Sequence, residues 1–170
     1  MKQFVEPFEY AGIICKALSK GALLTTKDGK EVNTMTIGWG MIGIEWGKPV
    51  FLALVRQSRH TKQLLDATGE FTVNIPLDAF DKKIIGYCGS KSGREVDKIK
   101  ELALTLEEPE VISVPGIRQL PLTLECKVLY QQTQDASVFP QGIVDRYYPQ
   151  PYDDHTVYYG EIVSAYIIKE

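Results

Sequence analysis

Short apolar runs and alternating apolar and polar positions, separated by turn residues, dominate this chain and predict β-strands. Residues 21–26 form one such run, and a Lys-Asp-Gly-Lys segment follows at 27–30. Asp-Gly between two β-like runs predicts a hairpin, because both residues tolerate positive φ. The partner strand is expected from residue 32 towards 44. After a turn at 45–48, a continuous apolar strand is expected at 49–55, buried on both faces.

Other parts of the chain also have strand patterns. Further strands are predicted at residues 13–18, 70–75, 120–131 and 156–168. The alternation is clear at 70–75, where every second residue is apolar and Pro76 follows. We therefore expect one face of this strand to be buried.

Helical spacing of apolar residues appears in two places. It predicts short helices at residues 61–67, closed by Gly69, and at 77–87. A third helix is expected to begin at Ser92 and Glu95, which have the spacing of a capping box, and to run to about residue 102.

The order of these elements indicates the fold class. Six or seven strands are joined by two or three short helices and by long connections at 105–119 and 135–154. This order favours a mainly β fold, an antiparallel Greek-key-like barrel with helical excursions, over an alternating βαβ fold. The length of 170 residues suits a single domain over residues 1–170.

Composition and charge narrow the function classes. The formal net charge is −3 and the isoelectric point is about 5.5, which disfavours a nucleic-acid partner. The longest apolar region is interrupted by Glu45, Lys48 and Pro49, so no membrane span is expected. The start of the chain lacks a signal-peptide pattern, which favours a cytoplasmic protein. The three cysteines are widely spaced, so we expect neither a disulfide framework nor a structural zinc site.

A basic, hydroxyl-rich loop precedes the first predicted helix. Arg56 and Arg59 supply positive charge, and Ser58 and Thr61 supply hydroxyl groups. The free amides and the dipole of a helix start attract anions, so this loop is a candidate phosphate site. The alternative is an ordinary helix start with two solvated arginines.

A second candidate phosphate loop lies at residues 89–94. It contains Ser90, Ser92, Gly93 and Arg94 directly before a predicted helix. The order of residues is not that of a P-loop. A purely structural role, with Ser92 capping the helix, is the alternative.

Two further segments carry polar groups suited to a ligand. Asn33, Thr34, Met35 and Thr36 begin a predicted strand, where they could bond the edge of a heteroaromatic ring or simply face solvent. His155 begins the last strand and could donate a hydrogen bond, act as an acid, or be structural. With two histidines in the chain and no clustered partners, no metal site is expected.

Several of these segments, taken in order, resemble the flavin reductase-like family of FMN-binding split barrels, which includes the flavoredoxins. The segments that carry the resemblance are residues 33–39, 46–49, 55–61, 69–74, 92–98 and 154–163. Each is weak alone, but their shared order covers most of residues 20–165. Residues 132–153 fit no part of this pattern.

The resemblance implies a six-stranded split barrel that forms a homodimer and holds FMN near the subunit interface. The positions it assigns to the cofactor are Asn33, Thr34, Met35 and Thr36 along the flavin ring, Arg56, Ser58, Arg59 and Thr61 at the phosphate or ribityl chain, and Ser90, Ser92, Gly93 and Arg94 in a covering loop. His155 matches a family histidine near the reactive side of the ring.

The expected function follows from this resemblance: a flavin reductase that passes hydride or electrons from NADH or NADPH through FMN. One alternative is a flavoredoxin-type carrier that passes electrons to a redox partner protein. Another is a non-catalytic, dimeric ligand-binding barrel. The sequence leaves open the electron acceptor, the choice between NADH and NADPH, and whether FMN is cofactor or substrate.

Overall fold

One antiparallel sheet forms the body of the molecule. The structure, a computed structural model, describes residues 1–77 and 80–169. The strands in this part of the chain are β1 (Lys2–Phe4), β2 (Ala22–Asp28), β3 (Glu31–Ile37), β4 (Gly40–Glu45), β5 (Lys48–Arg56), β6 (Glu70–Ile75), β7 (Leu106–Glu107), β8 (Gly116–Ile117), β9 (Leu122–Thr133) and β10 (His155–Ile168). The α-helices are α1 (Ala11–Leu18), α2 (His60–Thr68), α3 (Lys82–Ser90), α4 (Lys98–Glu101) and α5 (Gln141–Tyr147).

The strands follow a Greek-key-like path. Their order in the sheet is β3-β2-β6-β9-β10-β5-β4, with β1 pairing the far end of β10. Each of these pairings is antiparallel, so the predicted mainly β, antiparallel split barrel is confirmed. The sheet has eight strands rather than six, because β1 joins it and the predicted strand at 32–44 is divided into two.

The core lies inside this curled sheet. Fully buried side chains include Leu24, Phe51, Phe71, Leu124 and Tyr158, each from a different strand. Burial of such side chains supplies the main stabilising free energy of the fold. A second apolar cluster packs outside the sheet, between α3 and the segment that contains β7 and β8.

The segment between α4 and β9 explains why strand β6 is buried on both faces. Thr72 and Asn74 lie on the face opposite the barrel core and are fully buried. The Thr72 hydroxyl donates to the carbonyl of Pro115 (2.9 Å), and the Asn74 amide donates to the hydroxyl of Thr123 (2.9 Å). The covering segment therefore satisfies the polar groups that it removes from water.

Residues 13–18 form part of helix α1, so the predicted strand there is wrong. The buried residues of this helix are Ile14, Ala17 and Leu18. That spacing places them on one helical face, directed at the core. Gly21, with φ of 107°, then turns the chain into β2.

The predicted continuous strand from 32 to 44 is also wrong, because it breaks at Gly38 and Trp39. Beyond the break, a side chain at Gly40 would place its Cβ 2.7 Å from Cζ of Phe51. The close approach of β4 and β5 thus requires glycine at this position. The break carries Trp39 out of the sheet and towards His155.

The helix starts differ from the sequence predictions. The helix predicted at 77–87 falls partly outside the described residues. Helix α3 begins at Lys82, where the Asp81 carboxylate caps it by accepting from the Lys83 amide (2.9 Å).

The capping box predicted at Ser92 and Glu95 is wrong. The Asp97 carboxylate caps α4, while the Ser92 hydroxyl accepts from the Arg94 amide in a preceding turn.

The remaining predictions have mixed outcomes. The 27–30 hairpin and the helix closed by Gly69 are confirmed, and the predicted strands at 120–131 and 156–168 correspond to β9 and β10. The strand at 70–75 is also present, but the prediction that only one of its faces is buried is wrong, because the segment between α4 and β9 covers the other face. The strand at 49–55 is not wholly buried, since Leu52 and Leu54 are half-buried. The two predicted long connections contain ordered elements, β7 with β8 and α5 with a 3-10 helix at Ala136–Val138.

Two general properties bear on function. Within residues 1–77 and 80–169, no three His, Cys, Asp or Glu side chains are grouped so that they could hold a metal ion. No helix in the same ranges is long and apolar enough to cross a membrane.

The burial of β9 on its core-facing side predicts unequal effects when two of its leucines are shortened. Leu124 is 0% exposed and Leu129 is 44% exposed. Leu124→Ala should lower the free energy of unfolding by about 2–5 kcal/mol, because it leaves a cavity. Leu129→Ala is the matched control and should cost less than about 1 kcal/mol. Urea unfolding measures both, and equal losses would contradict this description of the core.

Candidate functional site

The start of helix α2 is fixed against strand β3 by a buried hydrogen bond. The Asn33 side-chain amide donates to the Thr61 hydroxyl (2.7 Å), and both side chains are buried. The backbone of Arg59 is extended and precedes the first turn of α2. The bond places the amino end of α2 beside β3, so two predicted site segments meet here.

A small cleft, here called the basic cleft, opens at this junction and has a volume of about 100 Å³. Its lining residues are Asn33, Met35, Ser58, Arg59, His60, Thr61, Lys91, Ser92, Gly93 and Lys98. Three of these, Arg59, Lys91 and Lys98, have basic side chains. The structure thus brings the two loops predicted to hold an anion to opposite sides of one cleft.

The covering loop packs tightly on this cleft. A Cβ at Gly93 would overlap Oδ1 of Asn33 and would lie 2.9 Å from Cδ2 of His60. The Arg94 guanidinium donates to the carbonyl of Ser58 (2.9 Å), which ties the covering loop to the helix start. Arg59 donates to the carbonyl of Gly89 (3.3 Å) from the other side.

Lys98 is the most unusual group in the basic cleft. The residue is 4% exposed, and its ammonium donates to one carbonyl oxygen among the described residues, that of Lys91 (3.2 Å). Desolvation lowers its pKa, the nearby Cys88 thiol acts in the opposite direction, and Arg59 lowers it further. A buried cation with so few acceptors is destabilising unless an anion joins it.

His60 also has an unsatisfied atom at this cleft. Its Nε2 pairs with the Glu31 carboxylate (2.6 Å), while its Nδ1 is buried and has no partner among the described residues. Because Nε2 donates to the carboxylate, Nδ1 of the neutral imidazole is an acceptor.

A second cleft, here called the slot, continues from the basic cleft and has a volume of about 150 Å³. Its lining residues are Met35, Thr36, Ile37, Gly38, Trp39, Leu54, Arg56, Arg59 and His155. Met35 and Arg59 line both clefts. The slot therefore adjoins the basic cleft, and its wall combines apolar residues with the cations Arg56 and Arg59.

His155 lies at the slot because β10 pairs with β5, which places it opposite Arg56. The residue is 6% exposed, shares a hydrogen bond of 2.8 Å between its Nδ1 and the Tyr148 hydroxyl, and packs against the ring of Trp39 with 4.9 Å between ring centroids. Its pKa is lowered to about 4, first by desolvation and then by the charges of Arg56 and Arg59, while Asp153 opposes the shift. The imidazole is therefore neutral at pH 7.

Some predicted site side chains are already engaged by neighbours in the protein. The Thr34 hydroxyl accepts from Thr25 (3.0 Å) inside the sheet, and the Thr36 hydroxyl donates to the carbonyl of Ile85 (2.6 Å). Ser90 is exposed, and its hydroxyl donates back to the carbonyl of Tyr87. At these positions the backbone is better placed than the side chain to meet a ligand.

Arg56 and Ser58 are held by the segment that fits no family pattern. Arg56 donates to the carbonyls of Asp153 and Tyr147, both at 2.9 Å. The Asp153 carboxylate accepts from the Ser58 hydroxyl (2.6 Å) and the Ser58 amide (3.0 Å). The segment is thereby fastened across the end of β5, and Ser58 already contacts an anionic group.

Four residues that help to form the site were not predicted from the sequence: Lys98, Trp39, Tyr148 and Asp153. Lys98 and Trp39 lie in segments that carried the family resemblance, but a lysine in a helix start and a tryptophan in a strand are common. The signal available for Tyr148 and Asp153 was their place in a long connection that precedes His155. Burial by distant segments then determined their roles.

Comparison with known proteins shows which family contains this arrangement. Residues 19–170 match the model of the flavin reductase like domain. An uncharacterized protein of Archaeoglobus fulgidus is 31% identical over 111 residues, which cover 65% of this chain and 62% of that protein. The matched part therefore spans less than two thirds of that relative's length.

Solved structures show the same fold. The flavoredoxin of Desulfovibrio vulgaris is similar with a TM-score of 0.69 and 24% identity, over 88% of this chain and 69% of that chain. The flavoredoxin of Methanosarcina acetivorans has a TM-score of 0.66 and 28% identity, over 88% of this chain and 68% of that chain. With the family match over residues 19–170, these findings establish that the chain belongs to the flavin reductase-like domain family.

Proposed function

We propose that this chain binds FMN across the basic cleft and the slot and is an NAD(P)H-dependent flavin reductase. The observation that carries the proposal is the buried Lys98 ammonium, which lies with Arg59 on a cleft that adjoins the slot. Family membership and the similarity to flavoredoxins support the choice of a flavin over other anionic ligands.

The basic cleft suits the phosphate of FMN. Lys98 and Arg59 supply positive charge, and the amino end of α2 adds the favourable end of a helix dipole. A phosphate here would compensate the buried ammonium. In this proposal Arg59, Thr61, Lys98 and the Ser92–Gly93 backbone hold the phosphate end.

The slot suits the ring of FMN. Met35, Ile37, Trp39 and Leu54 present apolar surface to a flat ring system, while the backbone around Thr36 can bond its polar edge. When bound, the flavin would supply hydride and electron transfer. The 147–153 segment fixes Arg56 at the slot through two backbone carbonyls.

The cations of the slot have two effects on its chemistry. Arg56 and Arg59 create a positive potential, which stabilises negative charge placed in the slot. The same charges, with burial, keep His155 neutral. Its Nδ1 is bonded to Tyr148, so we assign His155 the role of a neutral hydrogen-bonding group beside the ring rather than that of an imidazolium acid.

A second candidate function is electron transfer of the flavoredoxin type, with FMN bound but little nicotinamide activity. The 28% identity to the Methanosarcina flavoredoxin over 88% of this chain favours it. The two functions differ in the electron donor: a reductase takes hydride from NADH or NADPH, whereas a carrier takes electrons from a partner protein.

We also propose a cytoplasmic homodimer. The cytoplasmic location is supported by the three cysteines, which are all free, as suits a reducing compartment.

The homodimer is supported by exposed apolar side chains at the β4–β5 turn. Ile44 and Trp46 are 72% and 56% exposed, and Trp46 packs on Tyr159, which in turn packs on the exposed Tyr130. Exposed apolar surface of this kind is typical of protein interfaces.

Visible absorbance tests the proposed function. The protein purified with added FMN should keep a yellow flavin spectrum after gel filtration, and NADH or NADPH should bleach it under anaerobic conditions. Bound flavin that neither nucleotide bleaches would favour the carrier function. A protein that stays colourless would contradict both flavin functions.

Removing the charge of Lys98 should have opposite effects on stability and on binding. Lys98→Met should raise the melting temperature of the flavin-free protein, because it removes a poorly compensated buried charge. It should weaken FMN binding by about 10- to 150-fold, the effect of losing a charge-assisted hydrogen bond.

Lys100→Met is the matched control, because Lys100 lies in the same short helix and is exposed. It should change neither quantity. Scanning fluorimetry and FMN titration measure the two effects. Lower stability of Lys98→Met together with unchanged FMN affinity would assign Lys98 a purely structural role.

The neutral state of His155 predicts a pH effect on stability. Its pKa is about 4 in the folded protein, below the ordinary value of 6.5, so the folded state resists protonation. The contribution of the neutral imidazole to the free energy of unfolding is fully present above pH 6.5 and is lost as the pH falls towards 4. Between pH 7 and 4.5 this loss should be about 2 kcal/mol.

His155→Gln should remove that part of the pH dependence while other groups titrate as before. Urea unfolding of wild type and variant without flavin, at pH 7 and 4.5, measures the difference. Stability curves that fall in parallel for the two proteins would show that His155 is protonated normally in the folded state.

A further inference from the structure

The side chain of Tyr148 joins the segment that fits no family pattern to the imidazole of His155. Tyr148 follows α5 directly and is 3% exposed, and its hydroxyl oxygen lies 2.8 Å from Nδ1 of His155. The direction of this hydrogen bond decides which nitrogen of the imidazole carries the proton. It therefore decides what the imidazole presents to the slot.

The direction follows from the partners that the Tyr148 hydroxyl has. Within residues 1–77 and 80–169, Nδ1 of His155 is its one hydrogen-bond partner. If Nδ1–H were the donor, the hydroxyl proton would lie in a buried position without an acceptor, which is destabilising. If the hydroxyl donates to Nδ1, both groups are satisfied. The Tyr148 hydroxyl is therefore the donor, and Nδ1 is the acceptor.

Both groups are in the protonation states that this direction requires. Burial raises the pKa of the Tyr148 phenol, Arg56 opposes the rise and Asp154 adds to it, so the phenol keeps its proton at pH 7. The pKa of His155 is lowered to about 4, chiefly by desolvation, so its imidazole is neutral and has a single N–H. A neutral imidazole that accepts at Nδ1 carries its proton on Nε2.

The Nε2 atom of His155 is free to face the slot. It has no hydrogen-bond partner among the described residues, yet it is not one of the unpartnered side-chain atoms that are closed off from solvent. His155 as a whole is 6% exposed and lines the slot. The small exposed part of the residue thus includes its N–H group.

Neighbouring rings and a guanidinium hold the imidazole in this orientation. Trp39 packs on it with 4.9 Å between ring centroids, and Tyr148 meets it edge to face at 5.5 Å and 84°. The Arg56 guanidinium lies 5.2 Å from the centroid of the Tyr148 ring and donates to the carbonyl of Tyr147. A flip of the imidazole would put Cδ2 in the place of Nδ1 and lose the bond to Tyr148.

We propose that Tyr148 is a positioning residue that holds His155 in the Nε2–H tautomer and so makes the imidazole a hydrogen-bond donor to the slot. A ligand that uses this donor has to place an acceptor, such as a carbonyl oxygen or an unprotonated ring nitrogen, against Nε2. Arg56 and Arg59 line the same slot and also favour electron-rich atoms there. Tyr148 does not line the slot, so it acts through His155.

The role of this donor towards a flavin rests on the proposed function, whereas the tautomer does not. In a flavin site the matching group is an acceptor atom of the ring system. A donor at that atom stabilises the reduced ring, which is richer in electrons, more than the oxidised ring.

Nitrogen NMR of the flavin-free protein tests the tautomer. The chain has two histidines, so labelling histidine with ¹⁵N gives two imidazoles, and His155→Phe identifies the signals of His155. Protonated and unprotonated imidazole nitrogens have well separated shifts. At pH 7 the wild-type protein should show a protonated Nε2 and an unprotonated Nδ1 for His155. A protonated Nδ1 in the wild type would overturn the proposal without any variant of Tyr148.

Tyr148→Phe removes the hydroxyl and keeps the ring that packs on His155. The ratio of the Nε2–H to the Nδ1–H tautomer, read from the averaged shifts, should fall about 2- to 10-fold, the effect of losing one neutral hydrogen bond. Tyr147→Phe is the matched control, because Tyr147 is the adjacent residue and its ring packs on Trp39. It should leave the tautomer ratio unchanged. An unchanged ratio in Tyr148→Phe would overturn the positioning role.

A double-mutant cycle tests whether Tyr148 acts on bound FMN through His155. Tyr148→Phe should shift the reduction equilibrium of bound FMN about 2- to 10-fold towards the oxidised form, as measured against a redox dye. In a His155→Phe background, which has no imidazole to position, Tyr148→Phe should cause no further shift. Effects of the two variants that simply add would overturn the role of Tyr148 at the ring.

The two measurements separate this inference from the proposed function. The expected tautomer in a protein that does not take up FMN would support the positioning role of Tyr148 and contradict the flavin function. Uptake of FMN by a protein whose His155 carries its proton on Nδ1 would overturn the inference and leave the flavin site standing.

Discussion

A positive charge held away from water is the constraint on which the candidate site depends. Lys98 reaches the basic cleft from the short helix α4, at a point where β3, the start of α2 and the covering loop converge. One carbonyl oxygen does not compensate a buried ammonium, so the folded chain keeps an unfavourable charge that an anionic ligand would neutralise. The neighbouring Arg59 and the helix dipole of α2 increase the attraction for such a ligand.

Hydrogen bonds also attach residues 134–154 to strands of the barrel and to the loop that follows β5. Arg56 bonds two of its carbonyls, Ser58 bonds the Asp153 carboxylate, and Tyr148 bonds His155. These contacts hold the long connection against Arg56 and His155, which line the slot. The part of the chain that departs most from the family pattern therefore lies beside the proposed ring site.

Much of the fold was predictable from local patterns. The Asp-Gly hairpin, the alternation at Glu70–Ile75 and the glycine that closes α2 each have a local physical cause, and the structure contains all three. Helix α1 was predicted as a strand because Ile13 and Ile14 are adjacent β-branched residues, although the buried positions follow helical spacing. The false capping box at Ser92 arose because sequence alone does not show that Asp97 competes for the same role.

The candidate site was predictable where charge and hydroxyl groups are concentrated in one loop, as at residues 56–61. It was not predictable where function depends on burial. Nothing in the local sequence shows that Lys98 is buried and Lys100 exposed, or that the Ser58 hydroxyl would be taken by Asp153. Those properties come from contacts between segments far apart in the chain, which a pattern of residue types does not record.

The central claim is that the basic cleft recognises the phosphate of a flavin. The most direct measurement is the affinity of the wild-type protein for FMN compared with riboflavin, which has the same ring and ribityl chain without the phosphate. FMN should bind at least about 10-fold more tightly, and the difference should decrease as salt is added, because it arises from charge-assisted contacts. Equal affinities for the two flavins would contradict it.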